Sequence, residues 1–290
     1  MKIIPLAADS MGVRSMATYV ETGDCRALVD PGAAMGPLRY GLTPHPMEHW
    51  SFKKHWERIH LFAKSSNIVI VTHYHSAHFN PDVSELYRGK ILLLKNPNQK
   101  IDFNQRNLAF NFIKKIRQLA KEVCYADGRT LQCGSTCIVF SHPVCHGLVD
   151  SQGFVLQLAI QERGKTFLYS SDINGPSRED SVGFIVEQNP ETMYLDGPAT
   201  YIQDNVHTQK RLEETLKRMK HIIDKTRVTK LIVDHHLLRD LQWKEKIEPL
   251  FALARHKGII VNTAAEYRGE ENKLLEAMRA QLYENDPPPS

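Results

Sequence analysis

The sequence predicts a mixed protein, α/β with α+β character, and three observations predict it. Short β-branched runs alternate with stretches of helical periodicity. Two strand-rich blocks follow one another, the second mirroring the first. No internal linker and no short-period repeat divides them. The expected arrangement is one domain over residues 1–284, built of two similar β-rich halves covered by helices, with 285–290 as a frayed, flexible tail.

Taken in order, "KIIPLA", "SMATYVET" and "CRALVD" read as three strands with "TGD" as a hairpin turn, and the Gly/Pro-rich "PGAAMGPLRYGLTPHP" reads as a long loop. "NIVIVTH" is a buried strand by its continuous apolar run and "GKILLLKN" is another. Helical spacing then appears in "FNQRNLAFNFIKKIRQLAKEV". The second block comprises "TLQCG", "TCIVFSH", "FVLQLAIQ" and "KTFLYSSD", with "ERGK" turning between the last two. The chain ends by alternation: the strand "MYLDG", a helix through "TQKRLEETLKRMKHIIDKT", the strand "KLIVDHH", a helix over "WKEKIEPLFALARH", the strand "GIIVN" and a charged last helix.

With 42% hydrophobic and 24% charged residues over 290, the chain can bury a large core and does not have the composition of a disordered protein. No apolar run nears the roughly 20 residues a membrane span needs, and "MKIIPLAADSMG" has no signal-peptide pattern, so a cytoplasmic protein without a membrane partner is expected. Five cysteines without a C-x-x-C pair fit a reducing compartment, and Cys133 and Cys137 in "CGSTC" are the spacing to check for a bridge. The charge of +4 permits an anionic small molecule or nucleic acid as partner without demanding either, and it leaves the oligomeric state open. The basic run "KRLEETLKRMK" carries Leu212, Leu216 and Met219 as a packing stripe, so it reads as a helix with a solvated charged face rather than a nucleic-acid reader.

The stretch "VTHYHSAHF" carries the chemistry. Side chains two apart on a strand share a face, so His73 and His75 point the same way, and His78 returns from the following turn. Neutral imidazole is the commonest metal ligand, and such a cluster at the end of a buried strand needs a reason to be there. Four further strands end in residues of ligand type: Asp30 in "ALVDPG", His146 in "FSHPVCHG", Asp172 in "FLYSSD", and His235 with His236 in "LIVDHH". In "SHPVCHG", His146 is preferred to His142 because the loop after the strand can reach back. In "VDHH" an extended backbone cannot point both rings inward, so His235 is preferred with His236 as the alternative. Cys145 beside His146 could suggest a thiol nucleophile, but a histidine holding metal is not a free base. Asp196 in "LDGP" reads as a turn residue or as a support to the site.

Strand-end Asp, H-x-H-x-x-H, His, Asp and His, in that order from Asp30 to His235, resemble the five-motif pattern of the metallo-β-lactamase fold. More narrowly, "GVRSMATYVET", "DPGAAMGPLRYGLTPHP", "SDINGP", "LDGPATY" and "DHHLLRDL" look like an archaeal family of predicted metal-dependent hydrolases, the UPF0282 type. The resemblance implies a four-layer αββα sandwich with metals at one edge. It implies His73, His75 and His146 as ligands of one ion and Asp172 as the bridging carboxylate. His78 and His235 (or His236) then serve a second ion, and Asp30 orients ligands from behind.

The departure is Ala77. The family pattern places an aspartate there, a ligand of the second ion and often the general base, and a methyl group can neither coordinate nor accept a proton. Ser76 cannot replace a carboxylate and Asp82 lies too far along the chain. The expectation is one tight Zn2+ and a second weak or absent, with Mn2+ or Fe2+ as other metals. Zinc is preferred to di-iron because position 75 is His where oxygen-reducing relatives carry Glu. The implied reaction is metal-assisted hydrolysis, with Asp172 and His78 in catalytic roles. A phosphoester is favoured as substrate, with a lactone or other ester as the alternative. The loop bearing Arg14, the segment with Arg39 and His45, and His207 are candidate anion contacts. The rival class is a metal-stabilised scaffold that binds a ligand or nucleic acid without catalysis.

Overall fold

Six strands form the first sheet in chain order: β1 (Lys2–Pro5), β2 (Thr18–Glu21), β3 (Arg26–Val29), β4 (Ile68–Val71), β5 (Ile91–Leu94) and β6 (Glu122–Tyr125). The computed structural model describes residues 1–147, 149–202 and 206–287, the side chains of Val206 and His207 lying outside that description. The first three strands are antiparallel and β3 to β6 are parallel. The crossover from β3 to β4 carries α1 (Pro46–Ser65), and that from β5 to β6 carries α2 (Phe103–Ile116). The second block adds β7 (Thr130–Cys133), β8 (Thr136–Phe140), a small ribbon of β9 (Val144–Cys145) with β10 (Phe154–Val155), then β11 (Leu158–Glu162) and β12 (Lys165–Tyr169). Next come α3 (Glu179–Gln188), β13 (Thr192–Asp196), α4 (Val206–Lys225) and β14 (Lys230–Asp234). After these stand α5 (Trp243–Lys246), α6 (Glu248–Lys257), β15 (Ile260–Asn262), α7 (Ala264–Tyr267) and α8 (Arg279–Asn285). The second sheet runs β15-β14-β13-β12-β11-β8-β7, its pairings half parallel and half antiparallel.

The period-two alternation of the strands explains the layers. Val20, Ala27, Val29 and Ile70 face Ile138, Leu158, Ile160 and Phe167 across the space between the sheets. Their neighbours Leu28, Val69, Val71 and Leu92 pack outward on Ile59 and Ala63 of α1 and Phe112 of α2. On the other side Leu168, Met193, Leu231 and Val233 meet Val182, Ile185, Leu216 and Met219 of α3 and α4. The result is the four-layer αββα sandwich of the metallo-β-lactamase type.

Several elements differ from the sequence reading. Helix α1 was not anticipated. Its start is set by Pro46 and a capping box in which His45 Nδ1 accepts from Met47 N while Glu48 accepts from His45 N, and Ser51, His55, Ile59 and Ala63 make its buried stripe. Helix α3 was also missed, and β6 takes "EVCY", where the reading carried the preceding helix on to "KEV". The segment "WKEKIEPLFALARH" is two short helices with Pro249 opening the second. The last helix runs to Asn285, and His45 Nε2 meets the Asp286 carbonyl at 2.7 Å. Among the described residues no helix is long and apolar enough to cross a membrane. All five cysteines are free thiols, Cys133 and Cys137 included.

Candidate metal centre

Parallel strands of both sheets finish at one edge of the sandwich, and their last residues turn sharply. Asp30, Ser171 and His235 each adopt a left-handed backbone, with φ of 46°, 58° and 62°. A non-glycine residue pays of order 1–3 kcal/mol for that conformation, a cost found most often where side chains must be aimed. Here the turns bring Asp30, His73, His75, His78, Asp172, Asp196, His235 and His236 together.

Asp172 is the hub. Its Oδ2 stands 2.9 Å from His146 Nε2, 3.3 Å from His78 Nε2, 3.6 Å from His73 Nε2 and from His235 Nε2, and 3.8 Å from His75 Nδ1. Its Oδ1 faces His236 Nδ1 at 3.3 Å. Burial alone would raise this carboxyl, but the charges of His146, His236 and His235 outweigh it and hold Asp172 well below the usual carboxylate range. Burial, reinforced by His78, pushes His73 well below the usual imidazole value. Burial also works against His78 and His146, yet Asp172 raises both, with Asp30 assisting at His78.

A second ring of groups fixes the imidazoles. His78 Nδ1 donates to Asp30 Oδ2 at 3.0 Å, which leaves Nε2 to face Asp172. Asp30 is itself held by the Thr72 amide and hydroxyl at 2.8 and 2.7 Å and by the Tyr169 hydroxyl at 2.9 Å. Gln105 lies 3.2 Å from His75 Nε2. Asp9, from the loop after β1, accepts from His235 Nδ1 at 2.8 Å and from Arg239 Nε at 2.8 Å. Against the effect of burial, Asp9 leads in raising His235 to about 10, with Asp172 adding to it.

The donor set fits a metal ion. His73, His75, His146 and Asp172 present one donor atom each, all within 4.8 Å of one another, and so do His78, Asp172 and His235. His73 Nε2, His78 Nε2, His146 Nε2 and Asp172 Oδ1 are buried without a hydrogen-bond partner. Buried polar atoms without partners cost about 1–3 kcal/mol each, and a cation among them could satisfy them together.

The expectation that only one ring of "VDHH" faces inward does not hold. The left-handed turn at His235 breaks the extended backbone on which that reasoning rested, and both His235 and His236 reach Asp172. Asp196 is not a surface turn residue: it closes β13, is fully buried, and both its oxygens lie 3.2 Å from His236 Nδ1. Asp9 and Arg239 were missed, since nothing in "AADSMG" marks a side chain that crosses to the far half of the chain. His142 is exposed and lies against Gly128. Arg14 is engaged by both oxygens of Glu276, Arg39 donates to the Arg239 carbonyl, and His45 caps α1. The His207 side chain is outside the described residues. Ala77 sits half-buried in the turn between His75 and His78, and Asp82 pairs with Lys115 at the surface. Cys145 is buried in β9.

No protein-family profile matches the chain. It is similar to a UPF0282 protein of Korarchaeum cryptofilum, 42% identical over 285 residues that cover 98% of this chain and 95% of the relative. A UPF0282 protein of Metallosphaera sedula is 39% identical over 294 residues, 100% of this chain and 95% of that one. Among solved structures, the metallo-β-lactamase fold protein YhfI from Bacillus subtilis aligns with a TM-score of 0.52 at 14% identity, over 89% of this chain and 90% of that one. An isothiocyanate hydrolase from Delia radicum gut bacteria gives 0.53 at 15%, over 90% and 95%. Unliganded yeast PDE1 gives 0.56 at 11%, over 90% and 96%. At such identities the structural likeness speaks to the fold alone.

Proposed function

The chain belongs to the UPF0282 family, and from that premise we propose that it is a metal-dependent hydrolase, with zinc as the metal and a phosphoester as the substrate class. The observation that carries the reading is the convergence of six imidazoles on Asp172, several of them with a buried nitrogen that no protein group satisfies.

His73, His75, His146 and Asp172 would hold the tight ion. When bound, a divalent cation acidifies a water molecule from a pKa of about 15.7 toward 7 and polarises the oxygen under attack. The rest is done by the chain. Asp172 stays ionised at the centre, and Asp30 and Asp9 hold the rings of His78 and His235 by their Nδ1 protons, so that both Nε2 atoms face inward. His75 is 39% exposed at its side chain, which leaves one side of the centre open to substrate. A cavity of about 320 Å³ is lined by Asn174, whose amide donates to Asp196, and by Arg211, a cation that favours an anionic substrate, a small molecule or a nucleic-acid end. The scaffold reading draws on Ala77, which deprives the chain of the carboxylate that most often serves as base in this fold.

Zinc content and hydrolysis measured together test the proposal. Gently purified protein should carry at least one tight zinc per chain and cleave some member of a panel of phosphodiesters and lactones, and His146→Gln should lose both properties. Protein that holds zinc but cleaves nothing supports the scaffold. Protein that holds no metal at all contradicts both readings.

A further inference from the structure

A second group of donors stands at the other oxygen of Asp172. Five imidazoles share Asp172 Oδ2, whereas Oδ1 is buried, has no hydrogen-bond partner and faces His236. Asp196 completes the group, and Asp172, Asp196 and His236 each offer a donor atom within 4.8 Å of the others.

The spacing at His236 fits a metal position as well as it fits hydrogen bonds. Where an imidazole in this centre donates to a supporting carboxylate, the bond is short: 2.8 Å for His235 to Asp9 and 3.0 Å for His78 to Asp30. His236 Nδ1 is 3.3 Å from Asp172 Oδ1 and 3.2 Å from Asp196, long for a charge-assisted bond of about 2.7–2.9 Å. Ligand atoms around a tetrahedral zinc at about 2.0–2.2 Å stand roughly 3.3–3.6 Å apart, close to the spacing found.

Charge argues the same way. Asp196 is fully buried, and among the described residues its one ion-pair partner is His236. Its remaining contacts are backbone amides, those of Asn174 and His236. Its two oxygens accept from those amides and share the single His236 Nδ1, so an ion would take the place of that one shared ring proton. Asp172 is ringed by six imidazoles, so the need for more positive charge lies with Asp196, which pairs with one.

We propose that Asp196, His236 and Oδ1 of Asp172 form a second metal position, in which Asp196 supplies the carboxylate that Ala77 does not. The position rests on the metal-centre reading above, since Asp172 serves both ions. It departs from that pattern in placing the second ion on the β13 and β14 strand ends rather than on His78 and His235.

Apo protein, prepared with a chelator, reloaded with excess zinc and desalted, supplies the test, with zinc per chain as readout and melting of the apo forms as the check on folding. Wild type should hold two equivalents, Asp196→Asn and His236→Gln one each, and His78→Gln two. Should Asp196→Asn fail to fold, His236→Gln decides alone. The proposal is overturned if His236→Gln keeps both equivalents, if His78→Gln drops to one, or if wild type holds only one. In that last case a further loss of zinc in His146→Gln would leave the metal-centre reading intact, whereas wild type without zinc would overturn both.

Discussion

The edge of the first sheet and the edge of the second reach the same carboxylate with different chemistry. The β4 end brings three imidazoles within six residues, supported by Asp30 one strand away and by Gln105 from α2. The second sheet brings its groups singly, Asp172 after β12, Asp196 closing β13, and His235 with His236 after β14, supported by Asp9 from the other end of the chain. The first edge is rich in imidazoles and carries Ala77 where the metallo-β-lactamase pattern leads one to expect a carboxylate. The second holds the carboxylates. The difference teaches that a lost charge in one half of a sandwich can be made good from the other half, because both halves deliver strand ends to one line.

Breaking the first edge should have the largest effect. His75→Ala removes a ligand of the complete set and should abolish the tight zinc and lower hydrolysis by about 10³-fold or more, whereas Lys210→Ala on the exposed face of α4 should change neither. Activity retained in the first and lost in the second would place the chemistry elsewhere.

Restoring the missing charge is the next test, and it pits one edge against the other. In an Asp196→Asn background, Ala77→Asp should return the second zinc by completing His78, Asp172 and His235, and should raise hydrolysis of a generic phosphodiester by about 10²-fold. If the double variant stays at one zinc, His78 and His235 are not a latent site.

Much of this could be read from the sequence, and the exceptions have physical causes. The strand-end residues were legible because each follows an apolar run whose burial makes a polar terminus conspicuous, as in "NIVIVTH" and "KLIVDHH". Helix α1 was not, because its buried face mixes Glu48, Ser51 and His55 with Ile59 and Ala63, and polar residues that are satisfied inside a fold do not register as an apolar stripe. The pairing of His235 with His236 escaped because a left-handed turn at a non-glycine residue has no sequence mark. Asp9 escaped because its partners are 226 and 230 residues away.

The supports behind the ligands should matter less than the ligands. Asp30→Asn keeps the volume but weakens the acceptor for His78, Thr72 and Tyr169, and should reduce zinc affinity about 10- to 100-fold without unfolding the protein. Competition with a chromogenic chelator measures it, and an unchanged affinity would reduce Asp30 to a purely structural group.

The smallest effect concerns a histidine that belongs to neither edge. His55 is buried in α1 with its Nδ1 against the Leu6 carbonyl at 3.0 Å, and no carboxylate forms an ion pair with it among the described residues. Burial pushes it down to about 4, with Arg58 and Lys54 adding to the effect, whereas buried His235 rises to about 10 beside Asp9. The sign follows from linkage. The folded state resists the proton that the unfolded chain takes up below about 6.5, so stability falls as the pH drops from there toward 4 and then levels off. At pH 5.5 the cost is about 1.4 kcal/mol, one pH unit below the unfolded value. His55→Gln keeps a donor for Leu6 but cannot titrate, so urea melts at pH 7.5 and 5.5 should differ by that much less in the variant than in wild type. Equal differences in the two proteins would mean that His55 is protonated as readily folded as unfolded, and that carboxylates are not what separates the two buried histidines.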